Sequence, residues 1–270
     1  MRPSPSLLLA TAAISALLAA PLTAQTDDGT TFRWTGPVPQ GRFIRLHDMN
    51  GSIRVERGAP GSRVEVTAER RVRRGDPKIV HFDVVMRADG DVVVCALWGP
   101  EMRCTDDGPR GRYDSASWGR GPDIDVPFTV RVPDGVKVYA RSTNGHVAVD
   151  GVTAEVDAAT TNGNVTVRTT AGQVSATTTN GSVTASIGSP VGDQPMRFTS
   201  TNGSVTVYAP PSLSADLDMA TTNGGLSTDF PVMISGRVNR NVLRGTLGDG
   251  GRMLIVRSTN GDVALRRNGI

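Results

Sequence analysis

Aromatic residues are scarce in this chain: Phe, Trp and Tyr together make up 4% of its 270 residues. That excludes a core built mainly from large rings and the stacking platforms on which single-stranded nucleic acid is bound. Cysteine is almost absent. Cys95 and Cys104 are the only two, and their spacing lacks the Cys-x-x-Cys of a redox pair. The three histidines, His47, His81 and His146, fall in no metal-binding spacing. No Gly-x-Ser-x-Gly elbow occurs, and Gly248-Asp249-Gly250-Gly251 has no strand-to-helix context for a phosphate loop. The net charge of +3 is too small to name an anionic partner. After residue 24 there is neither a long apolar run nor a sustained apolar stripe at helical spacing.

The first residues differ from the rest. Arg2, the apolar stretch 7–20 and the small-residue site Leu22-Thr23-Ala24 read as an export signal over residues 1–24, with an uncleaved N-terminal anchor as the alternative. No Cys near the cleavage site supports a lipid anchor. Export makes a disulfide permissible, and Cys95 is expected to pair with Cys104.

From residue 41 onward, short alternating runs rich in Val, Thr and Ala are separated by Gly, Asn, Asp and Pro, an all-β texture. Residues 42–48 and 52–57 read as strands joined at Asn50-Gly51, and residues 63–72 as the next. The latter ends in Arg70, Arg71, Arg73 and Arg74, either a solvated strand end or a basic site for lipid head groups. Residues 79–87 and 91–97 read as a hairpin turning at Asp89-Gly90. Residues 99–123 break the pattern and form the longest irregular segment, the kind of loop in which binding residues tend to lie. Its acids, Glu101, Asp106, Asp107, Asp114 and Asp123, lack the regular spacing of a calcium loop. Residues 124–132 alternate again, with Ile124, Val126, Phe128, Val130 and Val132 on one face.

The dominant pattern is [Ser/Thr]-Thr-Asn-Gly-x-[Val/Leu]. It occurs six times, centred on Asn144, Asn162, Asn180, Asn202, Asn223 and Asn260, with a looser seventh copy at Asn50. Counting from each Asn, positions −6 and −4 are apolar, −2 is small and polar, +3 is apolar and +5 mostly so. Period two on both sides of Asn-Gly means strand, corner, strand, with one face buried. Successive strict copies lie 18, 18, 22, 21 and 37 residues apart, the last interval leaving room for a motif-less rung through Val238 and Leu243. Two architectures fit. One is a β-solenoid with rungs of about 18–22 residues. The other is an antiparallel β-meander or sandwich with Asn-Gly hairpin turns. A hairpin turn would also accept Asp-Gly or Gly-Gly, yet every corner is Asn. That strictness favours stacked rungs in which Asn50, Asn144, Asn162, Asn180, Asn202, Asn223 and Asn260 form an amide ladder. Losing a mid-array amide such as Asn180 is then expected to leave buried neighbours unpaired and to cost more than losing Asn50.

The repeated motif after an export signal resembles the bacterial putative-adhesin β-strand-repeat family, a domain family of unknown function, and is similar to head domains of autotransporter adhesins. The resemblance covers roughly residues 43–265. It implies a right-handed, single-stranded β-helix-like solenoid and an exported or envelope location, and it offers no catalytic residues. The expected division is a signal peptide over 1–24, an N-terminal β region over 25–123, and a strict repeat array over 124–270 continuous with 41–98. The variable x after each Gly (His146, Asn164, Ser182, Ser204, Gly225, Asp262) reads as solvent-facing, and it supplies no carboxylate pair for glycan cleavage. The functional expectation is a non-enzymatic periplasmic, outer-envelope or secreted binding scaffold with no metal, cofactor or nucleic-acid partner. Its ligand class is open among glycan, lipid and protein. The alternatives are a polysaccharide-active solenoid enzyme using loop acids such as Asp106 or Asp107, and a periplasmic regulatory or scaffold component.

Overall fold

At each motif copy the chain enters as a strand, turns at Asn-Gly and leaves as a strand in a different sheet. Val156–Asn162 enters and Val165–Thr169 leaves, and the two are not hydrogen-bonded to each other. The partner of each entering strand is the entering strand of a neighbouring copy, parallel and in register: Asn162 lies opposite Asn144 on one side and Asn180 on the other. The leaving strands pair the same way, Val165 with Val147 and Val183. This overturns the antiparallel meander for the repeats. A hairpin turn would pair the two arms of one copy, whereas here the corner carries the chain between sheets.

The computed structural model describes residues 23–112, 121–189, 192–234 and 239–268. The export signal lies outside the described residues as far as position 22. Two large mixed sheets, of ten and eleven strands, hold an all-β, mostly parallel architecture. Among the motif copies, spatial order departs from chain order at one place. The Asn260 copy sits between the Asn202 and Asn223 copies, with Met253–Asn260 parallel to both Met196–Asn202 and Ala215–Asn223. The motif-less rung expected between the Asn223 and Asn260 copies is replaced by an edge strand. Val242–Leu247, which carries Leu243, runs antiparallel to Ala215–Asn223, while Val238 lies outside the described residues.

The inward positions form the core. At −6 and −4 every residue is buried, from Ile44 and Leu46 to Leu254 and Val256. At +3 and +5 the same holds except in the Asn223 copy, whose Leu226 and Thr228 are only half-buried. Each fully buried Val contributes about 1.5 kcal/mol or more. Most array side chains are Val or Ala, so the two sheets meet on small residues. Phe198, at −4 of the Asn202 copy, is the exception, and three other rings gather elsewhere: Phe32 stacks on Phe82 at 4.6 Å, and Phe82 meets Phe128 edge-on at 6.1 Å.

That aromatic cluster belongs to an N-terminal part with antiparallel pairings. Val80–Met86 and Val92–Trp98 form the hairpin read at 79–97. The strand read over 63–72 is two strands, Val64–Glu69 and Arg71–Arg74, because Arg70 between them turns its side chain inward. Residues 124–132 likewise divide into Asp123–Asp125 and Phe128–Val132, separated by Pro127, which has no N–H for a ladder. Phe128–Val132 joins the two parts: it pairs antiparallel with Val64–Glu69 and parallel with Ile53–Arg57, the leaving strand of the Asn50 copy. The segment 99–123 is less irregular than its composition suggests. It holds a short hairpin, Arg103–Thr105 with Gly108–Arg110, while residues 113–120 lie outside the described residues.

Candidate functional site

Three ladders run across the corners. The innermost is made by the hydroxyl at −2, which is buried in all six strict copies. Ser142 Oγ donates to the Gly51 carbonyl, Thr160 Oγ1 to Gly145, Thr178 Oγ1 to Gly163 and Ser200 Oγ to Gly181. Ser258 and Thr221 continue the series to Gly203 and Gly261, all at 2.8–2.9 Å. Glycine is required at these corners. A Cβ at Gly163, where φ is +153°, would strike the Gly145 carbonyl of the neighbouring copy.

The second ladder is the amide column. Asn162 Nδ2 donates to Asn144 Oδ1, Asn180 to Asn162, Asn202 to Asn180, Asn260 to Asn202 and Asn223 to Asn260, at 2.7–2.8 Å. All six side chains lie in exposed positions, so the expected burial of this ladder is overturned. Asn50 is half-buried and its Nδ2 donates to the Ile124 carbonyl at 2.6 Å. The third ladder involves the variable x. His146 Nδ1 accepts from the Asn164 N–H and Asn164 Oδ1 from the Ser182 N–H. Ser204 Oγ accepts from the Asp262 N–H and Asp262 Oδ1 from the Gly225 N–H. Four of the six x residues, His146, Asn164, Ser204 and Asp262, thus bond a neighbouring copy through their side chains, and of these only Ser204 is half-buried. Sequence reasoning missed this because His, Asn, Ser and Asp share only an acceptor.

In the Asn50 copy Asp48 takes the hydroxyl's place. It is buried, Oδ1 accepts from the Asn50 N–H and Oδ2 has no partner. A Cβ at Gly51 would meet both Asp48 Oδ2 and the Val126 carbonyl, so this carbonyl stands where a glycine carbonyl stands beside the other copies. Burial, with the Asp125 charge, pushes the carboxyl up to about 7 against the pull of two backbone N–H groups.

The Cys95 and Cys104 sulfurs are bonded, with Cα atoms 5.8 Å apart, and tie Arg103–Thr105 to Val92–Trp98. The Gly108–Arg110 arm of that hairpin covers His47. A Cβ at Gly108 would come within 2.6 Å of the imidazole. Burial, then Arg141 and Arg45, push His47 down to about 4, so it is neutral at physiological pH. Of the loop acids, Asp107 lies 3.8 Å from Arg110 and 4.0 Å from Arg87, and Asp114 is outside the described residues. No group of three or more His, Cys, Asp or Glu among the described residues could hold a metal ion. The four arginines considered as a basic site do not act together. Arg70 is buried in a two-pronged pair with Asp27, Arg71 pairs with Glu69, Arg74 donates to the Gly121 carbonyl and Arg73 is exposed.

The outward faces differ along the stack. Near the Asn50 and Asn144 copies the ten-stranded sheet carries Arg45 and Arg141 over the Tyr139 ring, with Arg45 paired to Asp91 and Arg141 to Asp157. That cluster satisfies itself. Further along, the same face opens into a groove of about 560 Å³, lined by threonines with Arg197 and Arg257 and by no carboxylate. The eleven-stranded sheet has its own groove of about 460 Å³ near Tyr208, Asp262 and Arg266. Both depend on the inserted Asn260 copy, which supplies Arg257 to one and Asp262 and Arg266 to the other.

No curated protein matches the chain. Among solved structures, a "putative cell adhesion protein" from Clostridium sporogenes ATCC 15579 is 9% identical, covering 92% of this chain and 100% of its own, with a TM-score of 0.42. "Putative adhesins" from Parabacteroides merdae ATCC 43184 and Bacteroides fragilis NCTC 9343 are each 10% identical. They cover 90% and 88% of this chain and 98% and 97% of their own, with TM-scores of 0.32 and 0.29. At those scores the likenesses carry no argument. The profile match does: residues 128–266, more than half of the chain and all six strict motif copies, match Toastrack DUF4097. The protein belongs to the Toastrack DUF4097 family.

Proposed function

We propose that this protein is an exported, non-enzymatic scaffold of the cell envelope or extracellular space that binds its partner on the outward faces of its sheets. One observation carries this reading. Copies that share an apolar inward pattern carry different outward residues at −5 and −3 and after each Gly, and two grooves open where those residues meet. Affinity on such a surface comes from extended contact, as in other repeat proteins. We further infer that the two sheets wind as a single right-handed β-solenoid, and that residues 25–123 and 124–270 fold as one body. Pairing of Phe128–Val132 with two strands of the first part, and of Lys137–Asn144 with Phe43–Asn50, supports the latter. The export signal over 1–24 supports the location. Mature protein beginning at Gln25 should bind isolated cell envelopes saturably and turn over none of a panel of acidic glycans. Turnover abolished by substituting Asp106 or Asp107 would overturn the reading in favour of an enzyme.

A further inference from the structure

The groove on the ten-stranded sheet has a floor that is unusual for its hydrogen-bonding state. The strands that carry its threonines are internal to the sheet, so their backbone groups are already paired and no peptide can add to them as a strand; the edge strand Val242–Leu247 contributes only Val242. What the floor offers is side-chain hydroxyls. Thr179, Thr201, Thr259 and Thr222 hold the same register position on four adjacent strands and are all exposed. They form a row perpendicular to the strands at a spacing of about 4.8 Å. Thr177 and Thr199 begin a second row, and their hydroxyls are bonded to each other at 3.1 Å.

The charge is one-sided. Arg257 donates to Asp218 Oδ2 at 2.6 Å, and Arg244 approaches the same oxygen at 3.5 Å, so two guanidiniums share one carboxylate. Arg197, exposed and one strand away from Arg257, has no ion pair among the described residues. The Arg45–Tyr139–Arg141 cluster on the same face shows the contrast, since there each guanidinium has its own carboxylate. Apolar lining is limited to Val242 and Ala220, which gives a lipid chain little to bury against. No aromatic lines the groove for base stacking.

We propose that this groove binds a linear acidic polysaccharide. The sugar chain lies across the strands along the threonine row, and its carboxylates face Arg197 and Arg257. The strand spacing is close to the advance of one pyranose ring in an extended chain, so successive sugars meet equivalent hydroxyls. This inference rests on the binding-scaffold reading and names its ligand class.

The test is titration calorimetry of the mature chain with alginate oligosaccharides, with neutral dextran oligosaccharides and anionic phospholipid vesicles as the other arms. Alginate should bind, dextran and vesicles should not, and added salt should weaken the binding. Arg197→Gln should lower alginate affinity about tenfold, the loss of one charge-assisted hydrogen bond. Thr201→Val, which removes a hydroxyl at constant shape, should lower it about threefold. Both positions are exposed, so circular dichroism and melting should be unchanged. Absence of alginate binding, or binding indifferent to both substitutions, overturns the proposal, as does preferential binding to vesicles. Saturable envelope binding that ignores both substitutions sinks the polysaccharide groove and leaves the scaffold reading standing. Absence of envelope binding by the unsubstituted chain removes the scaffold reading and, with it, this one.

Discussion

The strict array and the N-terminal part bury polar groups in opposite ways. In the array one solution is repeated: a small hydroxyl at −2 donates to a glycine carbonyl one copy away, six times over. In the N-terminal part each buried polar group has its own arrangement. Arg70 is the extreme case. Its side chain is 5% exposed, its two terminal nitrogens donate to Asp27 at 2.6 and 2.7 Å, its Nε donates to the Val80 carbonyl and its guanidinium lies 4.6 Å from the Phe82 ring centroid. Repetition spreads stability thinly over equivalent contacts, whereas a unique buried pair concentrates it. The two parts should therefore differ in what a single substitution does.

The largest effect is expected at Asp27. Its bond to Arg70 holds its carboxyl below the usual range. Asp27→Ala leaves a buried guanidinium without its counter-charge and should cost about 3–5 kcal/mol. Asp157→Ala removes a comparably short pair from Arg141 in the array, where both partners are about a third exposed, and should cost under about 1 kcal/mol. Urea denaturation of the two variants checks the difference, and equal losses would erase the contrast.

Asp48 lies on the border between the parts and should show it in pH dependence. Between about pH 4 and pH 7 the folded chain keeps a proton on Asp48 that the unfolded chain has lost. Stability from this group is thus full below about pH 4, falls as pH rises through that window and levels off above about 7. The protonated acid can donate to the Val126 carbonyl as a hydroxyl would. The ionised form puts a buried anion beside a carbonyl. Asp48→Ser should remove the slope and, above the window, stabilise the chain by about 2–4 kcal/mol relative to wild type. His47, pushed down to about 4, contributes a slope of the opposite sign, so the difference between wild type and variant is the quantity to measure. An unchanged slope would show that Asp48 is not the group that titrates.

Much of this was legible in the residues, and the exceptions have physical reasons. The inward register could be read because burial acts on every second residue, and Asp48 was placed correctly as the −2 member of a seventh copy. The insertion of the Asn260 copy was hidden because every copy presents the same apolar positions, so periodicity carries no information about which copies are neighbours. The 37 residues between Asn223 and Asn260 permit the detour without revealing it. Exposure of the amide column was also hidden, since an Asn that donates to another Asn reads the same in water as in a core. The grooves were not legible at all, because Arg197 and Arg257 are far apart in sequence and become neighbours only through the insertion.

A glycine comparison reverses the first one. Gly29, in the N-terminal part, has φ +86° but open space around its Cβ position, so Gly29→Ala should cost about 1 kcal/mol of backbone strain. Gly163→Ala meets strain and a neighbouring carbonyl together and should cost about 2–3 kcal/mol. Here the array is the more sensitive part, because its close stacking leaves no room at the corner.

The smallest effects separate the two main ladders within the array itself. Thr178 is 2% exposed, and its hydroxyl is a donor to the Gly163 carbonyl. Thr178→Val keeps the shape and removes that donor, which should cost about 1–2 kcal/mol because the loss occurs away from water. Asn180 donates to one neighbour and accepts from the next, two bonds against one, yet water reaches all three groups. Asn180→Ala should therefore cost only about 0.5 kcal/mol, since solvent replaces what the amide gave. Counting bonds predicts the opposite order. A larger loss at Asn180 than at Thr178 in chemical denaturation would show that the exposed column, and not the buried hydroxyls, holds neighbouring copies together.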